Sequence, residues 1–308
     1  MYVEVLEVVG LAGLPEGPRT FSQVERVVGP WHTLRPLRDA LRLALALVDA
    51  ESLRALLADW GARDVDVTGD PLVEGATWAA GASVRAAFSS ATEPQIRVRA
   101  TFHLDPPQFA ELRHHALRDV RLVDSLGGGP TLELHAGLRL GADGRSLAVE
   151  PLGVAVGGVD HPVAGPERPA WLLPLLRRLR GRLAATPLPP ARWGEAAATW
   201  DVDVQRGLHD AIHTLSLPPA EVPGLVPLPG EPGVLDGPRV VPLRWLPPWT
   251  QAAVGWVGRV CIERPDVVVV LDGPTEGAWA AWWARQVEAD IAPVEQVILL
   301  VPDDERPA

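Results

Sequence analysis

The stretch Asp272-Gly273-Pro274-Thr275-Glu276 gathers two carboxylates and a hydroxyl directly after the apolar run at 267–271. If that run is a buried strand, its carboxyl end delivers these side chains to the place where ligands collect in open α/β sheets. Asp272, Thr275 and Glu276 are therefore a candidate cofactor-binding set. Clustered carboxylates suit Mg²⁺ better than a bare phosphate, and Asp303 after the last apolar run would add to them. A second set is His209 and His213 in HDAIH. Four residues apart on a helix, they share one face, the spacing of a two-histidine Zn²⁺ site. The glutamate of the zinc-hydrolase motif is absent and no third ligand is evident. Both sets have ordinary alternatives: a turn with a capping Thr275 and an acidic tail, and a pair of structural histidines.

The composition removes other chemistries. The chain has 308 residues, its 28 basic side chains are all arginine, and it contains neither lysine nor asparagine. A phosphate-loop lysine, a kinase strand lysine, a Schiff-base lysine and a Tyr-xxx-Lys dehydrogenase pair are all excluded. Residues with AT-rich codons are scarce throughout, so a GC-rich genome explains the missing lysine. Cys261 is the one cysteine, which rules out internal disulfides and multi-cysteine metal clusters. Placed on the apolar side of its helix, it reads as an inert buried thiol. A net charge of −11 argues against a protein that binds by neutralising nucleic-acid phosphates. No apolar run is long enough to cross a membrane. The opening MYVEVLEVVGLAG has no basic region before its apolar run, so the expectation is a cytoplasmic protein without membrane insertion.

The elements that must position these residues follow from periodicity. Residues 3–9 read as a strand, and a helical pair runs from about Thr33 to Trp60, with Pro36 in its first turn and Gly61 as its stop. Strict alternation at 96–104 and 132–140 marks two half-buried strands. Residues 83–90 read as a further strand, and 145–156 return as a hairpin through Gly141-Ala142-Asp143-Gly144. Gly127-Gly128-Gly129 leads into a strand, not a helix, and so is a turn and not a phosphate cradle. The N-terminal half, 1–165, is thus an α+β domain, an antiparallel sheet with helices on one face. A Pro-rich, helical connecting region fills 166–238. It holds a helix from Trp171 to Leu183, whose run of Arg177, Arg178, Arg180 and Arg182 suits an exposed face, and a helix from about Val202 to Leu215. Residues 239–308 read as a small α/β domain of order β-α-β-α-β: strands at 239–245, 266–271 and 297–301 in one parallel sheet, with helices from Thr250 and from Glu276 to Ala289.

The polar face of the antiparallel sheet carries Arg85, Arg97, Arg99, His103, Glu133, His135 and Arg139. It reads either as a binding platform or as a solvated face with cross-strand ion pairs. It lacks the aromatic side chains on which single-stranded bases stack. Tryptophan is the remaining anomaly: 12 in all, 9 of them between 171 and 283. Trp279, Trp282 and Trp283 share one helix and are either core or an interface, since exposed Trp and Arg dominate binding hot spots. The sequence therefore points to a non-catalytic accessory or scaffold protein, acting through contacts with other proteins in a multi-component bacterial assembly and needing no cofactor. The alternative is a metal-assisted hydrolase or nucleotide-binding enzyme that uses the strand-end carboxylates with Mg²⁺ or Zn²⁺.

Overall fold

The computed structural model describes residues 1–47, 50–64, 76–89, 94–116, 120–163, 168–172, 174–175, 183–189, 225–228, 231–236, 239–245, 265–271 and 294–303, and short stretches at 248, 251–252, 255–256, 259–263, 280, 283–284 and 287. The chain forms two compact units. The first comprises 1–22, 29–181 and 302–308, and the second 23–28 and 182–301.

The first strand, β1 (Tyr2–Val9), looks like a broken alternation, YVEVLEVV. A β-bulge between Val3 and Val5 is the reason. Val3 is buried, and beyond the bulge the phase flips so that Leu6 and Val8 are buried instead. This one extra residue turns Glu7 onto the opposite, polar face. β2 (Pro18–Thr20) covers the outer edge of β1. β3 (Val24–Gly29) leaves this sheet altogether.

The paired helices are α1 (Trp31–Ala46) and α2 (Ala50–Asp59). Leu34, Leu37, Leu41 and Leu45 of α1 are buried at helical spacing. Arg42 reaches Asp59 at 2.6 Å, and the Trp60 indole donates to Asp39 at 3.2 Å, so the two helices are tied at their polar margin. Gly61 stops α2 with φ of 84°, as expected of a glycine C-terminal stop. Pro36 lies within α1, not in its first turn, because the helix begins earlier, with Leu34 N donating to the Pro30 carbonyl.

β4 (Arg63–Asp64) and β5 (Ala76–Ala79) form the far edge of the sheet. The expected strand at 83–90 is instead a short helix, α3 (Ala82–Ala86), followed by a single bridge from Phe88 to Leu11. Val84 and Phe88, the buried residues here, stand four apart, which is a helical and not an alternating period. β6 (Gln95–His103), α4 (Pro106–Ala116), α5 (Val120–Leu126) and β7 (Thr131–Leu140) follow. β8 (Ser146–Val149) and β9 (Gly153–Val156) both pair with β7, on its C-terminal and N-terminal parts respectively, and β10 (Val159–His161) pairs with β9. The result is a 9-stranded sheet whose main path is β2-β1-β6-β7-β8-β5-β4, and its described pairings are antiparallel.

The glycine run before β7 is the expected turn. A Cβ at Gly128 would collide with the Gly157 carbonyl, so these two turns pack backbone to backbone.

In the second unit, β11 (Leu183–Ala184) falls where the helix from Trp171 was expected to end. β12 (Leu225–Leu228), β13 (Glu231–Asp236) and β14 (Arg239–Pro242) make a separate antiparallel sheet. The strand from Arg239 thus does not open a β-α-β-α-β series. Asp236 pairs with Arg239 across a two-residue connection, far too short for a parallel crossover. The parallel sheet contains β11, β15 (Val267–Val270) and β16 (Gln296–Pro302), and its fourth strand is β3. Val297 N donates to the Gln23 carbonyl and Asp303 N to that of Gly29, a register that advances together, so β3 is also parallel to β16. Trp256 and Trp283 are fully buried and meet edge to face at 5.7 Å.

Candidate functional site on the polar face of the antiparallel sheet

β6 and β7 place their odd-numbered residues on one face and their apolar even-numbered residues against the helices. Pairing fixes which charges become neighbours. Glu7, Arg99, His135 and Gly153 form one row across β1, β6, β7 and β9. Val9, Arg97 and Gly137 form the next, and Gln95, Arg139 and Ala148 the one after. All of these but Gly153 and Ala148 line a groove of about 680 Å³, which Glu133, Glu150 and Pro151 help to enclose.

Two glycines shape it. A Cβ at Gly137 would strike the Glu150 carboxylate, and one at Gly153 would strike the His135 imidazole. The missing side chains let Glu150 and His135 lie down over the sheet.

Most of the charge is internally matched. Arg99 donates to Glu133 at 2.8 Å, and Arg139 donates to Glu150. The hydrogen bond to Glu133, then its charge, raise the Arg99 pKa above the ordinary guanidinium value, and Glu7 and Asp160 add to this. Arg97 differs. Its hydrogen bond goes to the neutral Gln95 Oε1 at 3.1 Å, and Gln95 in turn donates to Glu150 at 3.4 Å.

The sequence identified Arg97, Arg99, Glu133, His135 and Arg139 as companions, and all five line the groove. Arg85 and His103 do not. Arg85 sits on α3, its side chain against the Gly144 turn, and His103 stacks on Tyr2 at 4.8 Å at the end of β6. Glu7, Gln95 and Glu150 were missed. Glu7 was legible only through the phase break in β1, and Glu150 through the glycine at 137 in an otherwise regular strand.

The other candidate residues are placed as follows. Asp272, Thr275, Glu276, His209, His213, Trp279 and Trp282 lie outside the described residues. So do Arg177, Arg178, Arg180 and Arg182. Trp283 is fully buried against Trp256, which is the packing alternative for that residue. Among the described residues the exposed tryptophans are Trp245 and Trp31, at 70% and 52%. Cys261 falls in the π-helical turn Arg259–Glu263. Among the described residues no group of three His, Cys, Asp or Glu is arranged to hold a metal ion, and no helix is long and apolar enough to cross a membrane.

One further pair has the spacing of a nucleophile and its base: Ser125 Oγ and His161 Nε2, 3.0 Å apart. Ser125 is 0% and His161 4% exposed, and Trp171 stands edge-on to the imidazole at 5.1 Å. With both groups sealed beneath the sheet, the contact is a buried hydrogen bond that anchors β10 to α5. No protein-family model matches the chain, and no curated protein matches it either.

Proposed function

We propose that this protein is a non-catalytic binding protein, an accessory or scaffold component that works through contact with other proteins, and that its docking surface is the polar face of the antiparallel sheet. One observation carries the reading: a groove of about 680 Å³ lined by arginines, glutamates and a histidine, most of them borne by regular strands. The ladder fixes the backbone from which most of these side chains project, so association need not order the backbone there. Arginine supplies forked donors suited to carboxylates and carbonyls. Among the described residues no Phe, Tyr or Trp lines the groove, and this and the net charge of −11 weigh against single-stranded nucleic acid as the partner.

Light scattering after size-exclusion chromatography tests this, with the full chain alone and mixed with products of neighbouring genes. A defined complex that is lost on Arg99→Glu, with an unchanged melting curve, is the expected result. A strict monomer that binds none of them, or a complex indifferent to Arg99→Glu, rejects it.

A further inference from the structure

We infer that the occupant of this face is a second copy of the chain, turned end for end about a two-fold axis that crosses the strands; this rests on the sheet face being the docking surface and names its partner. The groove lining is neutral as a whole, with three arginines and three glutamates, but its charges are unevenly placed. Toward the start of β6 lie Arg97, Arg139 and Glu150, and toward its end Arg99, Glu7 and Glu133. The first half therefore carries one surplus positive charge and the second one surplus negative charge. Asp160 stands on the Glu133 row, beyond Ala155, and adds to the acidic end. The row of Gln95, Arg139, Ala148 and Thr77 at the other end contains no acid.

β7 shows what fits such a face. Its residues on this side run Glu133, His135, Gly137, Arg139. An axis along the row of Val8, Val98 and Ala136 lays β7 antiparallel over the same strand of the second copy. Glu133 then stands over Arg139 of the second copy, and Arg139 over its Glu133. His135 comes over Gly137, which projects no side chain and where the Glu150 carboxylate lies. In the two middle rows Arg97 and Arg99 exchange places. Glu150 accompanies the first and Glu7 the second, so these rows meet as neutral pairs. Glu133 and Arg139 are about 20 Å apart along the strand, well beyond the ~8 Å screening length of physiological salt, so each end acts on its own. An axis along the strands would instead stack acid on acid. A uniformly charged partner would match one half of the face and be repelled by the other. A closed two-fold pair needs only one self-matching surface, which this face supplies.

Light scattering on the full chain alone, over a range of protein and salt concentrations, tests this. Expected is a dimer that weakens as salt rises. Glu133→Arg and Arg139→Glu should each weaken it roughly tenfold or more, because like charges then face each other twice. An equimolar mixture of these two variants should restore a dimer, since every facing pair at the two ends is again opposite in charge. A chain carrying both reversals should dimerise with itself for the same reason. Circular dichroism melts establish that each variant is folded, and Glu133→Gln, which should also weaken the dimer, stands in for a reversal that does not fold. A monomer at every concentration, a dimer indifferent to both reversals, or a mixture that stays monomeric overturns the inference. A chain that is monomeric alone yet forms a complex with a neighbouring gene's product, lost on Arg99→Glu, overturns the second copy as occupant and leaves the sheet face standing as a docking surface.

Discussion

The two main sheets treat their faces in opposite ways. In the antiparallel sheet, β6 alternates, with Ile96, Val98, Ala100 and Phe102 buried and Arg97 and Arg99 exposed. In the parallel sheet, Val267, Val268, Val269 and Val270 of β15 are all 0% exposed, and Val297 and Ile298 of β16 likewise. A sheet covered on both sides commits every side chain to packing. A sheet covered on one side retains a row of outward positions on every strand, free to carry charge at little cost to the core. Hence the described polar groove belongs to the antiparallel sheet, and the central strands of the parallel sheet present no comparable surface.

A buried charge is the severest way to break that contrast. Val269→Asp places an unpaired carboxylate where neither direction leads to water. The expected loss is on the order of 4–5 kcal/mol or more, seen in calorimetry as disappearance of the second unit's transition. Arg97→Gln, on a strand of the other sheet, should shift stability by no more than about 0.5 kcal/mol. A well-tolerated Val269→Asp would mean that one face of β15 is open after all.

Next in size is the same contrast within a single strand. Leu134 is fully buried and its neighbour His135 is exposed. Leu134→Ala should cost about 2–5 kcal/mol by transfer and cavity terms, and His135→Ala about 0.5 kcal/mol or less. Denaturant midpoints of the two variants suffice. Similar costs at both positions would remove the distinction between core face and working face.

Legibility in the sequence follows the same divide. The alternation in β6 and β7 was plain because one face is wet and the other dry, and it named five of the groove residues. The helical pair was legible from its leucine spacing. β15 was recognisable as a strand from four consecutive valines, but a uniformly apolar strand says nothing about its neighbours. That is why β3 went unplaced beside β16: an edge strand donated from residues 24–29 is separated from its partner by most of the chain, and no local period records so distant a pairing. The strand from Arg239 failed for the converse reason. Its order along the chain suggested a crossover, whereas a two-residue link to β13 decides for a hairpin. Glu7 and Glu150 reach the groove through a bulge and a glycine, features that shift or delete a side chain without altering the hydrophobic pattern.

A smaller effect sharpens what the matched charges in the groove are for. The Arg99–Glu133 pair spans β6 and β7 at 2.8 Å, but Arg99 is 57% exposed, so solvent screens it. A double-mutant cycle with Arg99→Ala and Glu133→Ala should return a coupling of about 0.2–1 kcal/mol. Raising the salt concentration should shrink it further. A coupling several times larger would make the pair a structural clamp, and the row would then count as part of the fold more than as a surface for partners.

The smallest expected effect lies at the β7–β8 turn, which closes one end of the polar face. Asp143 Oδ1 accepts hydrogen bonds from Arg145 N at 2.8 Å, Ser146 N at 3.2 Å and Ser146 Oγ at 3.1 Å. The backbone hydrogen bond from Arg145, followed by that from Ser146, favours the ionised form and holds the carboxyl pKa below its usual 3.8. A carboxyl whose pKa is lower folded than unfolded binds fewer protons in the native state. Its contribution is therefore complete above the unfolded value and is lost as the pH falls through the lowered one. The stability difference between the native chain and Asp143→Asn should be constant near neutral pH and decline on acidification below the ordinary aspartate range. Urea midpoints measured along a pH series read this directly. A difference that does not change with pH would show that the turn is held by the backbone geometry of Gly141 to Gly144 and not by the charge on Asp143. The register of β8 on β7, and with it the position of Glu150 beside Arg139, would then be set by the chain itself.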